Sequence, residues 1–318
     1  MVILMIETVI AIGLPVRENL TIRKNRLQPV SARTNMPRIS IVTGIHGDEL
    51  EGQFVCYEVA RRIEREKEKL KGIVDLYPCL NPLGMDAVYR NVPKTEIDMN
   101  RMFPGNTEGP VIEKVAAAII ADIAGSDVCI DLHSSDTFIR EVPQVRLSEV
   151  WAEQLLPYAI HMNVDMIWKN ATKTVDESTL GYSLNMLGTP TIVVEMGIGN
   201  HIDQKNGKQL ADGIFQMMSH LGIWDEEPIK LRKPLVSKDS EIEFIRANAS
   251  GVFLPSIAYH CEVEAGDKIG EVVHPLTGEI VQSYYAQNTG LVFSLREYPM
   301  VYAGSLLARI IKKSEEVI

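Results

Sequence analysis

Apolar positions along the chain follow two regimes that change near residue 225. From Ile39 to Trp224, short β-rich apolar runs alternate with stretches of helical periodicity. Ile39–Thr43 reads as a strand. Leu50, Phe54, Val55, Val59 and Ile63 then recur at helical spacing and predict a long amphipathic helix over Asp48–Leu70, with Arg61–Lys71 as its solvated end and Gly72 as its stop. Ile73–Leu80 is the next strand. Pro110 opens a helix through Ala124, and Gly125 ends it. Val128–Leu132 and Thr191–Glu195 are further short apolar runs, and Lys208–Leu221 is a closing helix. Such alternation predicts an α/β fold whose sheet is largely parallel, with helices on both faces. The apolar stretch Met1–Leu14 is interrupted by Glu7 and has no basic segment before it, so it reads as a strand rather than a signal peptide or a membrane span.

After Trp224 the pattern becomes strand and turn. Asp225–Leu235 is charged and contains proline, which reads as a linker. A weak repeat follows. Ser250-Gly251-Val252-Phe253 leads to Ala265-Gly266-Asp267-Lys268-Ile269, and Thr289-Gly290-Leu291-Val292-Phe293 leads to Ala303-Gly304-Ser305-Leu306-Leu307. Two tandem β units predict a small two-fold barrel. The expected division is an α/β domain over 1–228 and a C-terminal β domain over 229–318. The repeat resembles the half-barrels of lipoyl and biotinyl carriers, whose modified lysine sits between the halves. Val272–Thr289 contains no lysine, which argues against a carrier.

Composition narrows the function classes. The chain has 318 residues, 46% hydrophobic, enough for one large or two unequal domains. Its formal charge of -10 and the lack of a dense basic run exclude a nucleic-acid partner. Four cysteines without C-x-x-C spacing imply a reduced, cytoplasmic protein with no disulfide framework and no membrane partner.

Three polar groups stand at strand ends: His46 after Ile39–Thr43, His133 after Val128–Leu132, and Glu195 closing Thr191–Val194. In open α/β sheets the functional crevice lies at the carboxyl ends of the strands, so all three should meet there. Gly44-Ile45-His46-Gly47-Asp48-Glu49 holds a His-x-x-Glu pair on one side of a turn. His46, Glu49 and His133 form a two-histidine, one-carboxylate set for Zn²⁺ with one open position. Zinc lowers the pKa of water to about 7, and Glu195 could take that water's proton and pass it to a leaving amine. Singly, His46–Glu49 is a weak signal, His133 could be a loop histidine and Glu195 a cap; the metal reading rests on their combination. Asp98-Met99-Asn100-Arg101-Met102-Phe103-Pro104-Gly105 places Arg101, a fork that matches a carboxylate, beside an amide. The alternative is a structural loop with Asp98 paired to Arg101. Arg90 is a candidate to stabilise an oxyanion.

The set Gly-Ile-His-Gly-Asp-Glu, Asn81-Pro82, Asp-Met-Asn-Arg-Met-Phe-Pro-Gly, Asp131-Leu132-His133-Ser134 and Val194-Glu195-Met196-Gly197 resembles the succinylglutamate desuccinylase/aspartoacylase family. That family shares the zinc carboxypeptidase fold. The resemblance covers roughly residues 6 to 224, and the C-terminal repeat looks like the β domain of many members. It implies a mixed sheet with helices on both faces, one Zn²⁺ per chain on His46, Glu49 and His133, Glu195 as general base and acid, and Asn100 and Arg101 on a substrate carboxylate. The spacing Arg90, Pro93, Asp98 is similar to the family's uncharacterised deacylase branch. So is Pro143-Gln144 between Arg140 and Arg146, which marks both arginines as candidate specificity residues. The expected partner is a small N-acylated amino acid or a similar anionic amide, and a homo-oligomer stays open. The rivals are a carboxypeptidase for short peptides and a non-catalytic binding protein that keeps the zinc fold.

Overall fold

The structure, a computed structural model, describes residues 2–15, 17–30, 35–171, 174–227 and 231–313, with 174 and 175 by backbone only. The expected domain boundary at 228/229 lies outside the described residues. The first part of the chain runs β1 (Val2–Gly13), β2 (Asn19–Pro29), β3 (Arg38–Thr43), α1 (Glu51–Arg65), β4 (Ile73–Tyr77), α2 (Pro82–Ala87), α3 (Val111–Ile123), β5 (Val128–Ser134), β6 (Ile139–Ser148), α4 (Ala152–Ala159), β7 (Met166–Asn170), α5 (Leu180–Met186), β8 (Thr191–Gly197) and α6 (Gln204–His220). The rest is all β: β9 (Leu235–Lys238), β10 (Ile242–Arg246), β11 (Gly251–Pro255), β12 (Glu262–Val263), β13 (Lys268–His274), β14 (Glu279–Tyr285), β15 (Gly290–Arg296), β16 (Met300–Val301) and β17 (Leu306–Lys312).

A 13-stranded sheet carries the molecule in the order β1-β2-β4-β3-β5-β8-β6-β15-β17-β10, with β12 beside β15, and β7 and β9 beyond β6. Its centre, β4-β3-β5-β8, is parallel. Both flanks turn antiparallel, through β1, β2 and β4 on one side and β8, β6, β15 and β17 on the other. The sheet is therefore mixed, as the resemblance implies. The largely parallel sheet expected from alternation alone holds at the centre and in the β6-β7-β9 branch; elsewhere it fails because β2 and β6 hide charged residues that break an apolar pattern. Two helix boundaries also shift. The first helix begins at Glu51 and ends at Arg65, a 3-10 turn Lys67–Lys69 follows, and the last helix begins at Gln204.

Strand alternation decides which face each residue meets. Ile130, Leu132, Ile192 and Val194 pack with α1 and α6 in one buried cluster. Cys129 of β5 joins Val42, Tyr77, α3 and α5 in a second cluster on the other face. Asp131, His133, Val193 and Glu195 share that second face by their two-residue spacing. Past β9, the 4-stranded sheet β14-β13-β11-β16 covers β10, β15 and β17. Phe253, Ile269, Val272, Leu295, Leu307 and Ile310 fill the space between. Among the described residues no helix is long and apolar enough to cross a membrane, and all four cysteines are free.

Candidate active site

The turn between β3 and α1 carries the first two site residues. Gly44 has φ +68°, a conformation glycine adopts without steric cost. Gly47 lies so close to the backbone of Gly84 that a Cβ would sit 2.0 Å from the Gly84 carbonyl carbon. The Gly47 amide donates to the Arg90 carbonyl at 3.3 Å. Asn81 holds the supporting loop by accepting from the Gly84 amide at 2.9 Å and donating to the Asn91 carbonyl at 3.2 Å.

His46, Glu49 and His133 converge and are all buried. His46 Nδ1 faces Glu49 Oε1 at 2.7 Å, and His133 Nδ1 faces Glu49 Oε2 at 2.9 Å. The ligand atoms of the three lie within 4.8 Å of one another. Each outer nitrogen meets a second carboxylate: His46 Nε2 lies 3.1 Å from Asp98 Oδ1, and His133 Nε2 lies 3.2 Å from Asp131 Oδ1. Two imidazoles and a carboxylate, with an outer carboxylate orienting each ring, fit a divalent metal ion. Charge bears this out. Burial disfavours the cation on His46, yet Glu49 and Asp98 raise its pKa. Asp131 and Glu49 raise His133 well above its ordinary value against a similar penalty. Burial works against the Glu49 anion, and the two histidines nevertheless hold its pKa below the usual range. Such a cluster concentrates negative charge where a cation would sit.

Glu195 is the register neighbour of His133 across β5 and β8. Burial raises its pKa, and Arg146 and His133 only partly oppose that rise. A carboxyl raised in this way holds a proton more readily than an ordinary glutamate, as proton transfer requires. Arg146 donates from Nη1 to Glu195 Oε1 at 3.2 Å and from Nη2 to Glu141 Oε2 at 2.6 Å.

His46, Glu49, Asp131, His133, Glu141, Arg146 and Glu195 all line one cavity of about 760 Å³. Arg90 lines it too, and donates from Nη1 to Glu49 Oε1 at 3.0 Å. Asn100 is buried, and its side-chain oxygen accepts from the Leu180 amide at 3.0 Å. Arg101 is exposed and donates to the Asn100 carbonyl at 3.0 Å, not to Asp98, whose side chain caps the turn by accepting from the Asn100 amide. Arg140 is not among the cavity-lining residues. It pairs with Glu297 through two nitrogens and stacks on Tyr259 with its guanidinium carbon 5.6 Å from the ring centre. Sequence reasoning missed Asp98 and Asp131 as supports for the histidines, and missed Glu141, Arg296 and Arg309. The spacing Asp131-Leu132-His133 was the available signal for one of them, since residues two apart share a strand face.

A model of the succinylglutamate desuccinylase/aspartoacylase catalytic domain matches residues 35–221. The chain belongs to this family. The matched segment contains His46, Glu49, Arg90, Asn100, Arg101, His133, Arg140, Arg146 and Glu195. One family relative, the N-alpha-acetyl-L-2,4-diaminobutyric acid deacetylase of Halomonas elongata, is 25% identical over 309 residues, which cover 91% of this chain and 86% of that protein. Among solved structures, the product-bound ectoine utilization protein EutE of Ruegeria pomeroyi superposes with a TM-score of 0.81 at 20% identity, over 98% of this chain and 95% of that one. A succinylglutamate desuccinylase from Silicibacter sp. TM1040 gives 0.81 at 19% identity, with the same coverage. At those identities the two structures speak for the family fold, C-terminal strands included.

Proposed function

We propose that the protein is a zinc-dependent deacylase that hydrolyses the amide bond of a small N-acyl amino acid. One observation carries this reading. Two histidine Nδ1 atoms face a single carboxylate in the wall of a cavity, and the Glu195 carboxyl stands beside them on the next strand. Zinc held by His46, Glu49 and His133 would polarise the scissile carbonyl and acidify a water molecule.

The chain's own groups supply the rest. Glu195 takes the proton of the attacking water and delivers it to the amide nitrogen as the carbon–nitrogen bond breaks. Arg90 reaches the centre from the cavity wall, where its guanidinium faces the developing oxyanion. The Asn100 side chain has its oxygen fixed on Leu180, so its amide nitrogen remains to meet a substrate carboxylate together with Arg101. The volume suits a small molecule. The Halomonas relative, by its name, acts on an N-acetylated amino acid, which supports the same substrate class here.

The test is elemental analysis of the purified protein, followed by turnover of N-acetyl and N-succinyl amino acids beside simple dipeptides. About one zinc per chain and release of a free amino acid from the N-acyl compounds is the expected result. Turnover of dipeptides alone would make it a carboxypeptidase, and zinc with no turnover of either would favour a binding protein.

A further inference from the structure

Arg146 is held through both its terminal nitrogens, one on Glu195 and one on Glu141. Glu141 also has a second guanidinium partner. Arg309 of β17 donates from Nη1 to Glu141 Oε1, and to Ser294 Oγ at 3.4 Å. The strand register makes this reach possible. Glu141 of β6 pairs with Ser294 of β15, and Ser294 pairs with Arg309 of β17, so the three lie in one row across adjacent strands. Glu141 and Ser294 are completely buried, and the small Ser294 lets the Arg309 side chain pass over its strand. Trp168 sits under both arginines, each guanidinium carbon 5.5 Å from its ring.

We infer that Arg309 is a positioning residue for the acid–base glutamate: by pairing with Glu141 Oε1 it competes with Arg146 for that oxygen and so favours the pose in which Arg146 Nη1 holds Glu195. The inference rests on the reading of Glu195 as the proton carrier. The physical reason is the geometry of guanidinium and carboxylate. A fork offered both oxygens takes both, because two parallel charge-assisted bonds are stronger than one. Arg309 competes for the second oxygen. Strands from the end of the chain thereby act on the chemistry without touching the substrate's reacting atoms, and Arg146 is a strut of the base.

The experiment uses Arg309→Met, which keeps an apolar stem over Trp168 and Phe244, and Arg309→Ala, which leaves room for added guanidinium. In a crystal structure of Arg309→Met, Arg146 should turn both nitrogens to Glu141 and give up the 3.2 Å contact to Glu195. With an N-acetyl amino acid that the wild type turns over, kcat should fall roughly ten- to a hundredfold, with KM and zinc content near wild type. Millimolar guanidinium should restore part of that loss in Arg309→Ala. Arg146 still on Glu195 in Arg309→Met, or an unchanged kcat, overturns the inference. Glu195→Gln is assayed beside them. If it keeps full turnover, the base assignment itself fails; if it is inactive while Arg309→Met is not, only the role of Arg309 fails. Should Arg309→Ala not fold, Arg309→Met decides alone.

Discussion

Glu49 meets the Nδ1 atoms of His46 and His133, the Ser134 amide at 3.1 Å and the Arg90 guanidinium. A carboxylate so surrounded is fixed in place before any ion arrives, which is what a tight metal site needs. At this scale His46→Ala should abolish metal retention, read by elemental analysis. Asp131→Ala should keep the site but weaken it about 10- to 100-fold, because His133 loses its outer partner; competition with a chelator measures this. Glu195→Gln should bind zinc normally and lose about 10²- to 10⁴-fold in kcat. Acidity should act in the same place. Both histidines are raised above their ordinary pKa in the metal-free protein, so below those values an ion must displace protons. Metal affinity should therefore climb as pH rises through the raised values and then level off. An affinity independent of pH from 5 to 8 would show that the two rings are not the ligands.

Elements place these residues by close approach. The turn carrying His46 and Glu49 crosses α2 at Gly47 and Gly84, where no side chain fits. Gly47→Ala should displace that crossing and cost about 1–3 kcal/mol, read as a lower Tm, with a matching loss of metal affinity. How far the elements could be foreseen follows from what they bury. β3, β5 and β8 are legible because their inward residues are apolar, and the helices because their stripes recur at helical spacing. β6 was not, since Glu141 and Gln144 are buried on it and Arg146 is largely so, within a polar network that erases the alternation. β2 is obscured in the same way: Lys24 is buried between Asp122 and Asp75, and Arg26 is paired with Asp75. The convergence of His46, Glu49 and His133 was legible because they stand at or just past strand ends and differ in kind from their neighbours. Glu141 and Arg309 were not, because what defines them is a partner on another strand, and one sequence does not reveal register.

At the scale of the whole molecule the sheet does not stop where the composition changes. β15 pairs with β6, and β9 with β7, so strands from beyond residue 230 continue the sheet that holds the metal set. Arg246, Arg296 and Arg309 enter the cavity wall from there. Arg296 donates to the carbonyls of Tyr298, Met300 and Leu306, which ties the hairpin beside the cavity to the strand that follows. A chain ended after Glu227 should expose the open edges of β6 and β7. Unpaired edges recruit other chains, so it should aggregate on expression, which size-exclusion chromatography would show.

That shared sheet also imposes an order in time. A ribosome delivers His46, Glu49, His133 and Glu195 first, and Arg309 follows every other residue of the cavity wall. The wall of the cavity is therefore completed only when the last strand of the sheet has been made, long after its first side chains are in place.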